Sequence, residues 1–416
     1  MAVVRPFKAL RPKEDLVDKV ASLPYDVMNR EEAKEMAKGN DYSFLHVVRS
    51  EIDVDDSIDE HHKVVYEKAR ENLDKMVEEG ILIQDETPRY YIYRQIMDGR
   101  VQTGLVACTS IDDYMNDIIK KHEFTRPAKE QDRINNFDYC DANTAPIFLT
   151  YRENREITKL TNDWIKFHKP VYNFTSEDGI THIVWVIDNE EVVERIGKLF
   201  EQVDYLYIAD GHHRTASAAK VGLKRREENP NYTGDEEFNY FMSVVFPDED
   251  LFIMDYNRVV KDLNGHTVEE FVDKVKGKFE VDLYEGEGQF RPTKKHEFGM
   301  FLEGKWYKLT AKEGTFDKAD PVNSLDAAIL QNNLLNPILG IENPRTDERI
   351  DFIGGIRGLA ELERRVNKDM KIAFSMYPTT IDDLLAVADA GKVMPPKSTW
   401  FEPKLRSGLF VHKLSD

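Results

Sequence analysis

The sequence predicts a mixed α+β protein with more than one domain, and three observations carry that reading. The longest apolar runs, such as residues 183–187, are strand-sized. Residues 56–79 repeat apolar side chains at three- and four-residue steps, the signature of an amphipathic helix. From Pro146 onward, strand-like and helix-like segments alternate. The 416 residues suffice for two or three domains at about 150 residues each.

In chain order, Pro24-Tyr25-Asp26 is a turn element, because proline presets φ and aspartate tolerates turn geometry. Asn29 is placed to cap a charged helix over 30–38. Residues 43–48 (SFLHVV) read as a buried strand. In the helix over 56–79, Val64, Val65, Ala69, Leu73 and Met76 share a face, His61-His62 lie on its surface, and Gly80 ends it. Residues 89–97 and 101–109 are rich in Tyr, Ile and Val and flank Asp98-Gly99, which predicts a hairpin. A helix is expected over 111–121, followed by an irregular polar segment over 122–144 of the kind that often carries function. Strands follow at 146–150, 181–187, 205–209 and 239–246, with helices at 189–202 and 213–228. The later chain predicts helices at 268–279, 324–335, 358–366 and 381–390, strands at 297–302, 305–309 and 372–376, and a final strand in the tail.

The sharpest local feature is Asp210-Gly211-His212-His213-Arg214, where a buried strand meets a helix. Gly211 permits a tight turn, and the exposed N–H groups and dipole of the helix start favour an anion. Arg214 and the histidines can add charge-assisted hydrogen bonds to phosphate. Asp210 stands at the carboxyl end of the strand, suited to a metal or to a base. The competing reading is a simple helix cap, but crowding His212, His213 and Arg214 at the positive end of a helix is then an electrostatic cost.

His122-Glu123 offers a carboxylate beside a histidine, for general-base work or Mg²⁺. A zinc-protease helix is excluded, because Arg126 stands where the second histidine belongs. The pentapeptide Lys-Lys-His-Glu-Phe occurs at 120–124 and again at 294–298, where it opens an alternating segment and reads as a solvated strand start. Pro396-Lys397-Ser398-Thr399 offers a lysine and two hydroxyls to a phosphate or carboxylate, or is an ordinary exposed turn. Gly354-Gly355 reads as a strand-to-helix turn, and His46 as a satisfied histidine. The Gly-Lys pairs run into Leu199, Phe279, Trp306 and Val393, so the common phosphate loop is missing, as are the dinucleotide-binding glycine loop and the kinase catalytic loop.

Composition bounds the partners. Fifty-seven Lys plus Arg against 77 Asp plus Glu give a net charge of −20, which repels a phosphate backbone and argues against nucleic acid. The 41% hydrophobic content is that of a folded chain. Two cysteines, Cys108 and Cys140, cannot build a disulfide framework and point to a reducing cytoplasm. Apolar runs stay far below the roughly 20 residues of a membrane helix, so no membrane partner is expected. Oligomeric state is not legible.

At Asp210–Arg214 the sequence resembles the ParB/sulfiredoxin-like superfamily, whose nucleotide-binding turn reads Gly-x-His/Arg-Arg. Within it, the order of His122-Glu123, Asp210-Gly211-His212-His213-Arg214 and Pro396-Lys397-Ser398-Thr399 is similar to that of the free L-serine kinases and their long bacterial relatives. Arg5-Pro6-Phe7, Pro24-Tyr25-Asp26-Val27 and Ser43-Phe44-Leu45-His46 look like the long branch. The resemblance implies phosphoryl transfer from ATP or ADP to free L-serine. Glu123, with His122, would serve as base or substrate-positioning group. Asp210, Gly211, His212, His213 and Arg214 would surround the phosphates, with Mg²⁺ on Asp210. Lys397, Ser398 and Thr399 would close over serine or phosphate. It also implies an organisation: a superfamily core over 111–260, an added N-terminal region over 1–110, an added middle region over 261–392, and a segment over 393–416 returning to the active site. Two other functions fit the superfamily. A ParB-like nucleotide-gated regulator is disfavoured by the charge and by the lack of a DNA-reading helix pair. A sulfiredoxin-like reductase needs a cysteine where His212 stands.

Overall fold

The phosphate-like turn lies in a nine-stranded mixed sheet that spans the first half of the chain. This is a computed structural model, and it describes residues 1–415. Two compact units divide the chain: Met1–Leu251 together with the chain from Pro403 onward, and Phe252–Glu402. The protein is α+β. Among the described residues, no helix is long and apolar enough to cross a membrane.

Across the first unit's sheet the strands run Ile119–Lys120, Leu206–Asp210, Ile147–Tyr151, Tyr240–Pro247, Arg100–Ser110, Tyr90–Met97, Thr181–Ile187 and Tyr172–Thr175. Val4–Arg5 adds beside Arg100–Ser110. Two of these pairings are parallel, Leu206–Asp210 with Ile119–Lys120 and Tyr240–Pro247 with Ile147–Tyr151. The hairpin forms as expected: Asp98 (φ 51°) and Gly99 (φ 78°) are both left-handed, the geometry that follows the strands' own twist. Helices Arg155–Phe167 and Glu190–Phe200 cover the sheet, with Trp164, Ile196 and Phe200 buried against Ile92, Leu149 and Trp185.

A second cluster lies under the N-terminal helices, where Tyr25, Phe44, Leu45, Val48, Leu73 and Met76 pack together. Asn29 caps Arg30–Ala37 in a full capping box with Glu32, a device that stabilises by about 1 kcal/mol. The second unit has its own six-stranded antiparallel sheet, ordered Phe279–Leu283, Lys305–Ala311, Glu297–Leu302, Ile372–Met376, Tyr256–Val260 and Ile350–Gly354. Its two faces bury separate clusters, one around Phe271, Phe298 and Leu334 and the other around Phe301, Trp306 and Leu362. Gly354 ends a strand, and a short helical turn, Gly355–Arg357, follows it, as expected.

Several expectations are corrected. Residues 43–48 are not a strand: Leu45–Val48 is a helical turn whose Leu45, Val47 and Val48 are buried while His46 reaches Asp53, and an apolar run without period does not separate the two. The helix expected from residue 56 begins at Lys63, because Asp55 and Asp59 use their carboxylates on local N–H groups and hold turns instead. His62 caps that helix rather than lying on it. The helix expected over 111–121 stops at Met115, and Ile119–Lys120 joins the sheet. The segment 122–144 is not irregular, since Pro127–Cys140 is a helix. Its polar side chains are satisfied by the neighbouring helix His212–Glu228, through Glu130 with Lys220 and Asp138 with Lys224 and Arg225, so no apolar stripe was needed. The second Lys-Lys-His-Glu-Phe does open a strand, but Glu297 is buried and paired with Lys308, not solvated. The units also divide the chain at other places than 110, 260 and 392. Leu105–Ser110 pairs with Tyr240–Val245, so residues on both sides of 110 share one sheet.

The tail is locked to the first unit by a buried network. Arg406 donates to Asp178 and Ser176, and His182 sits between Tyr93 Oη (2.8 Å from Nδ1) and Ser176 Oγ (3.0 Å from Nε2). Burial, helped by the Arg406 charge, pushes His182 down to about 3. The unfolded chain therefore binds a proton near pH 6.5 that the native state refuses, so native stability falls as pH drops below that value. In urea unfolding between about pH 6.5 and pH 4, the stability advantage of wild type over His182→Gln should shrink by about 1.4 kcal/mol per pH unit. An advantage that stays constant with pH contradicts this reading.

Candidate functional site

The strand Leu206–Asp210 is buried up to its last residue, so the chain leaves the sheet at a fixed point. Gly211 then takes a left-handed conformation (φ 98°) and begins the helix His212–Glu228. No side chain caps that helix, which leaves its first N–H groups facing outward from the turn. The turn is stiffened from below. Arg214 is 2% exposed; its Nη1 donates to the Pro146 carbonyl (2.6 Å) and its Nη2 to Asp210 Oδ2 (3.2 Å). A Cβ on Gly211 would stand 2.9 Å from Arg214 Nε. Burial works against the Arg214 charge, but Asp210 and Asp26 outweigh it and hold the guanidinium protonated. Arg214 is therefore a foundation beneath the turn and not an exposed phosphate clamp.

The histidines are also placed differently from the basic cluster that the sequence suggests. His212 Nε2 accepts the His122 backbone N–H (3.4 Å), and His213 Nε2 accepts that of Arg126 (2.9 Å). Each ring is then neutral, with its proton on Nδ1. Burial agrees: it pushes His212 down to about 3 and His213 below its ordinary value. His122 is 2% exposed, meets the His212 ring edge-on at 4.4 Å, and has no hydrogen bond on either nitrogen. Burial and the neighbouring His212 hold it well below the ordinary range. The structure does bring His122-Glu123 to the turn, because Ile119–Lys120 pairs with the strand that ends in Asp210. Glu123 Oε2 lies 3.9 Å from His212 Nδ1 and remains partly exposed.

One cation was missed by sequence reasoning. Lys404 Nζ lies 3.7 Å from Asp210 Oδ2, so the tail reaches the turn through Pro403-Lys404. The sequence repeats Pro-Lys at 396–397 and 403–404, and only the first is followed by two hydroxyls, so the second carries no local signal. Lys397, Ser398 and Thr399 belong to the second unit. There the Lys397 carbonyl accepts from Arg258 Nη2 (3.0 Å), and the Ser398 hydroxyl is spent on the Pro395 carbonyl (2.7 Å).

Beside the turn the first unit holds a cavity of about 330 Å³, lined by Tyr25, Arg49, Glu51, Tyr66, Arg126 and Arg133 among others. Arg126 connects the two, through its N–H to His213. Among the described residues, Cys108, Glu237 and His412 come close enough together to hold a metal ion. Glu237 is already engaged by Arg5 (2.5 Å) and His412 (2.7 Å), so this set reads as a further lock on the tail. Asp210 is an oxygen donor at the turn that could hold a hard cation, and it is itself engaged by Arg214 and Lys404.

A family model described as "Protein of unknown function (DUF1015)" matches residues 4–328. The chain belongs to the DUF1015 family. No curated protein matches the chain. Among solved structures, it is similar to a free serine kinase variant in complex with AMP, at 15% identity and a TM-score of 0.37, covering 74% of this chain and 89% of that one. A conserved hypothetical protein from Pyrococcus furiosus matches at 14% identity and 0.34, covering 73% and 91%. The C-terminally truncated SbnI from Staphylococcus aureus matches at 10% and 0.35, covering 73% and 85%.

The turn's dependence on glycine is testable by comparison within this DUF1015 protein. Gly179 also has positive φ (80°) but open space around it, whereas Gly211 adds a clash with Arg214. Gly179→Ala should cost about 1 kcal/mol from backbone strain alone. Gly211→Ala should cost about 2–4 kcal/mol by thermal or urea unfolding, because the buried guanidinium must also move. Equal losses would show that Arg214 does not support the turn.

Proposed function

We propose that this protein is a small-molecule kinase that transfers a phosphoryl group from ATP or ADP to the hydroxyl of free L-serine, giving O-phospho-L-serine. The observation that carries the reading is the uncapped helix start after Asp210, with the Glu123 carboxylate facing it across neutral His212. Phosphoryl transfer asks for positioning and charge neutralisation, with little covalent help from the protein. The helix N–H groups and the Nδ1–H of neutral His213 suit the phosphate oxygens of a nucleotide. Lys404 adds the cation that the histidines do not. Asp210 would hold Mg²⁺, which when bound neutralises phosphate charge; a partly exposed carboxylate fits an ion that keeps most of its waters.

Glu123 accepts the proton of the serine hydroxyl as that oxygen forms its bond to phosphorus. The bond to the nucleotide's leaving oxygen breaks, and ADP or AMP departs. The Nδ1 of His212 stands 3.9 Å from the Glu123 carboxylate on the side it faces, and His122 fixes His212 by its backbone N–H.

The test is an assay with ATP or ADP, Mg²⁺ and L-serine, read by phosphorus NMR for O-phosphoserine. Glu123→Gln should lower kcat by about 10²–10⁴, the usual worth of a general base, while nucleotide affinity stays within about twofold. Nucleotide binding and hydrolysis without phosphoserine would instead favour a ParB-like regulatory protein.

A further inference from the structure

The cavity beside the turn contains buried polar atoms whose bonding is incomplete. Arg133 is 6% exposed. Its guanidinium lies over the Tyr25 ring at 3.9 Å, and its Nε and Nη2 are tied to Asp132 at 2.9 and 2.7 Å. Its Nη1 is buried and makes no hydrogen bond. The group is thus held rigidly with one N–H left over. Glu51, 5% exposed, is the counterpart: its Oε1 stands 2.7 Å from Arg49 Nε, yet neither atom is in a hydrogen-bonding direction. Burial raises its carboxyl above the ordinary range, against the Arg49 charge and a backbone N–H that favour the carboxylate. Buried polar groups are almost always paired in folded proteins, so a leftover donor and a leftover acceptor lining one cavity point to a ligand that supplies both.

The charges around the cavity narrow its chemistry. Asp26, Glu51, Glu60 and Asp132 face Arg49, Arg126, Lys129 and Arg133. Four carboxylates would repel a polyphosphate, whereas a balanced wall suits a ligand with one charge of each sign. The volume of about 330 Å³ is roughly ten times the ~30 Å³ share of a water molecule, ample for an amino acid. We propose that this cavity is the acceptor pocket and binds a free amino acid as its zwitterion, with the carboxylate on Arg133 and the ammonium on Glu51. The assignment rests on the kinase reading for its place in the reaction, but the binding itself can be measured separately. It also gives the N-terminal region a purpose, since Tyr25, Arg49 and Glu51 come from the part of the chain added before the motif-bearing core.

The experiment is calorimetric titration of the full chain with the L-amino acids, L-serine among them, and with two truncated probes: ethanolamine, which lacks the carboxylate, and 3-hydroxypropionate, which lacks the ammonium. Wild type, Glu51→Gln and Arg133→Lys are compared, each also titrated with ADP and checked by circular dichroism. Wild type should bind at least one amino acid, with both truncated probes weaker. Glu51→Gln, a near-isosteric change, should weaken that amino acid and ethanolamine by about tenfold or more and leave 3-hydroxypropionate unchanged. Arg133→Lys should show the mirror pattern. ADP affinity should stay within about twofold in both variants. Failure of every amino acid to bind at millimolar concentration, or binding that ignores both substitutions, overturns the assignment. Charge-patterned binding without phosphorylated product from ATP or ADP would sink the kinase reading and leave the pocket standing.

Discussion

The buried guanidinium of Arg214 is the constraint on which the rest of the site depends. Placing an arginine at 2% exposure is costly unless its charge is met, and here the Pro146 carbonyl and the Asp210 carboxylate meet it. Those two contacts join three pieces of chain: the start of one strand, the end of its neighbour and the first turn of a helix. Gly211 must be glycine because the same guanidinium occupies the space a side chain would take. Once the turn is so fixed, the helix N–H groups have one direction to face, and Asp210 has one position at which Lys404 can reach it.

The surrounding charge follows from this arrangement. A chain of net charge −20 can offer an anion only a local exception to its own repulsion. That exception is not built from imidazolium. Both histidines of the turn accept backbone N–H groups and are neutral, which removes the cost of crowding positive charge at the positive end of a helix. Their Nδ1–H groups are left as donors, while the cation that reaches Asp210, Lys404, comes from far away in sequence. The mixed wall around Arg133 and Glu51 differs in kind from the turn, with four carboxylates and four Arg or Lys side chains lining one cavity.

Legibility from sequence tracked how local the determining physics was. The Asp98-Gly99 hairpin and the Asn29 cap were readable because a few adjacent residues settle each. The strand-turn-helix at Asp210–Arg214 was readable for the same reason. The helix Pro127–Cys140 was not, because much of its buried face is polar: Glu130 and Asn136 find partners outside the helix and Arg133 pairs with its own neighbour Asp132, and apolar period carries no trace of that. Residues 43–48 failed for the opposite reason: Phe44, Leu45, Val47 and Val48 are all buried, and such a run carries no period.

The local pattern by itself determined that a strand ends near Asp210 and that a helix begins just after it, while only the resemblance set the carboxylate at 123 beside them. Only the tertiary structure decided the protonation of the histidines, because desolvation and hydrogen-bond direction exist only once the chain is folded. It also decided that Arg214 lies beneath the turn rather than on it, that the tail's contribution to the turn is Lys404, and that Arg133 and Glu51 share a cavity. Those are contacts between residues tens to hundreds of positions apart, set by sheet pairing and by burial, and no spacing along the chain encodes them.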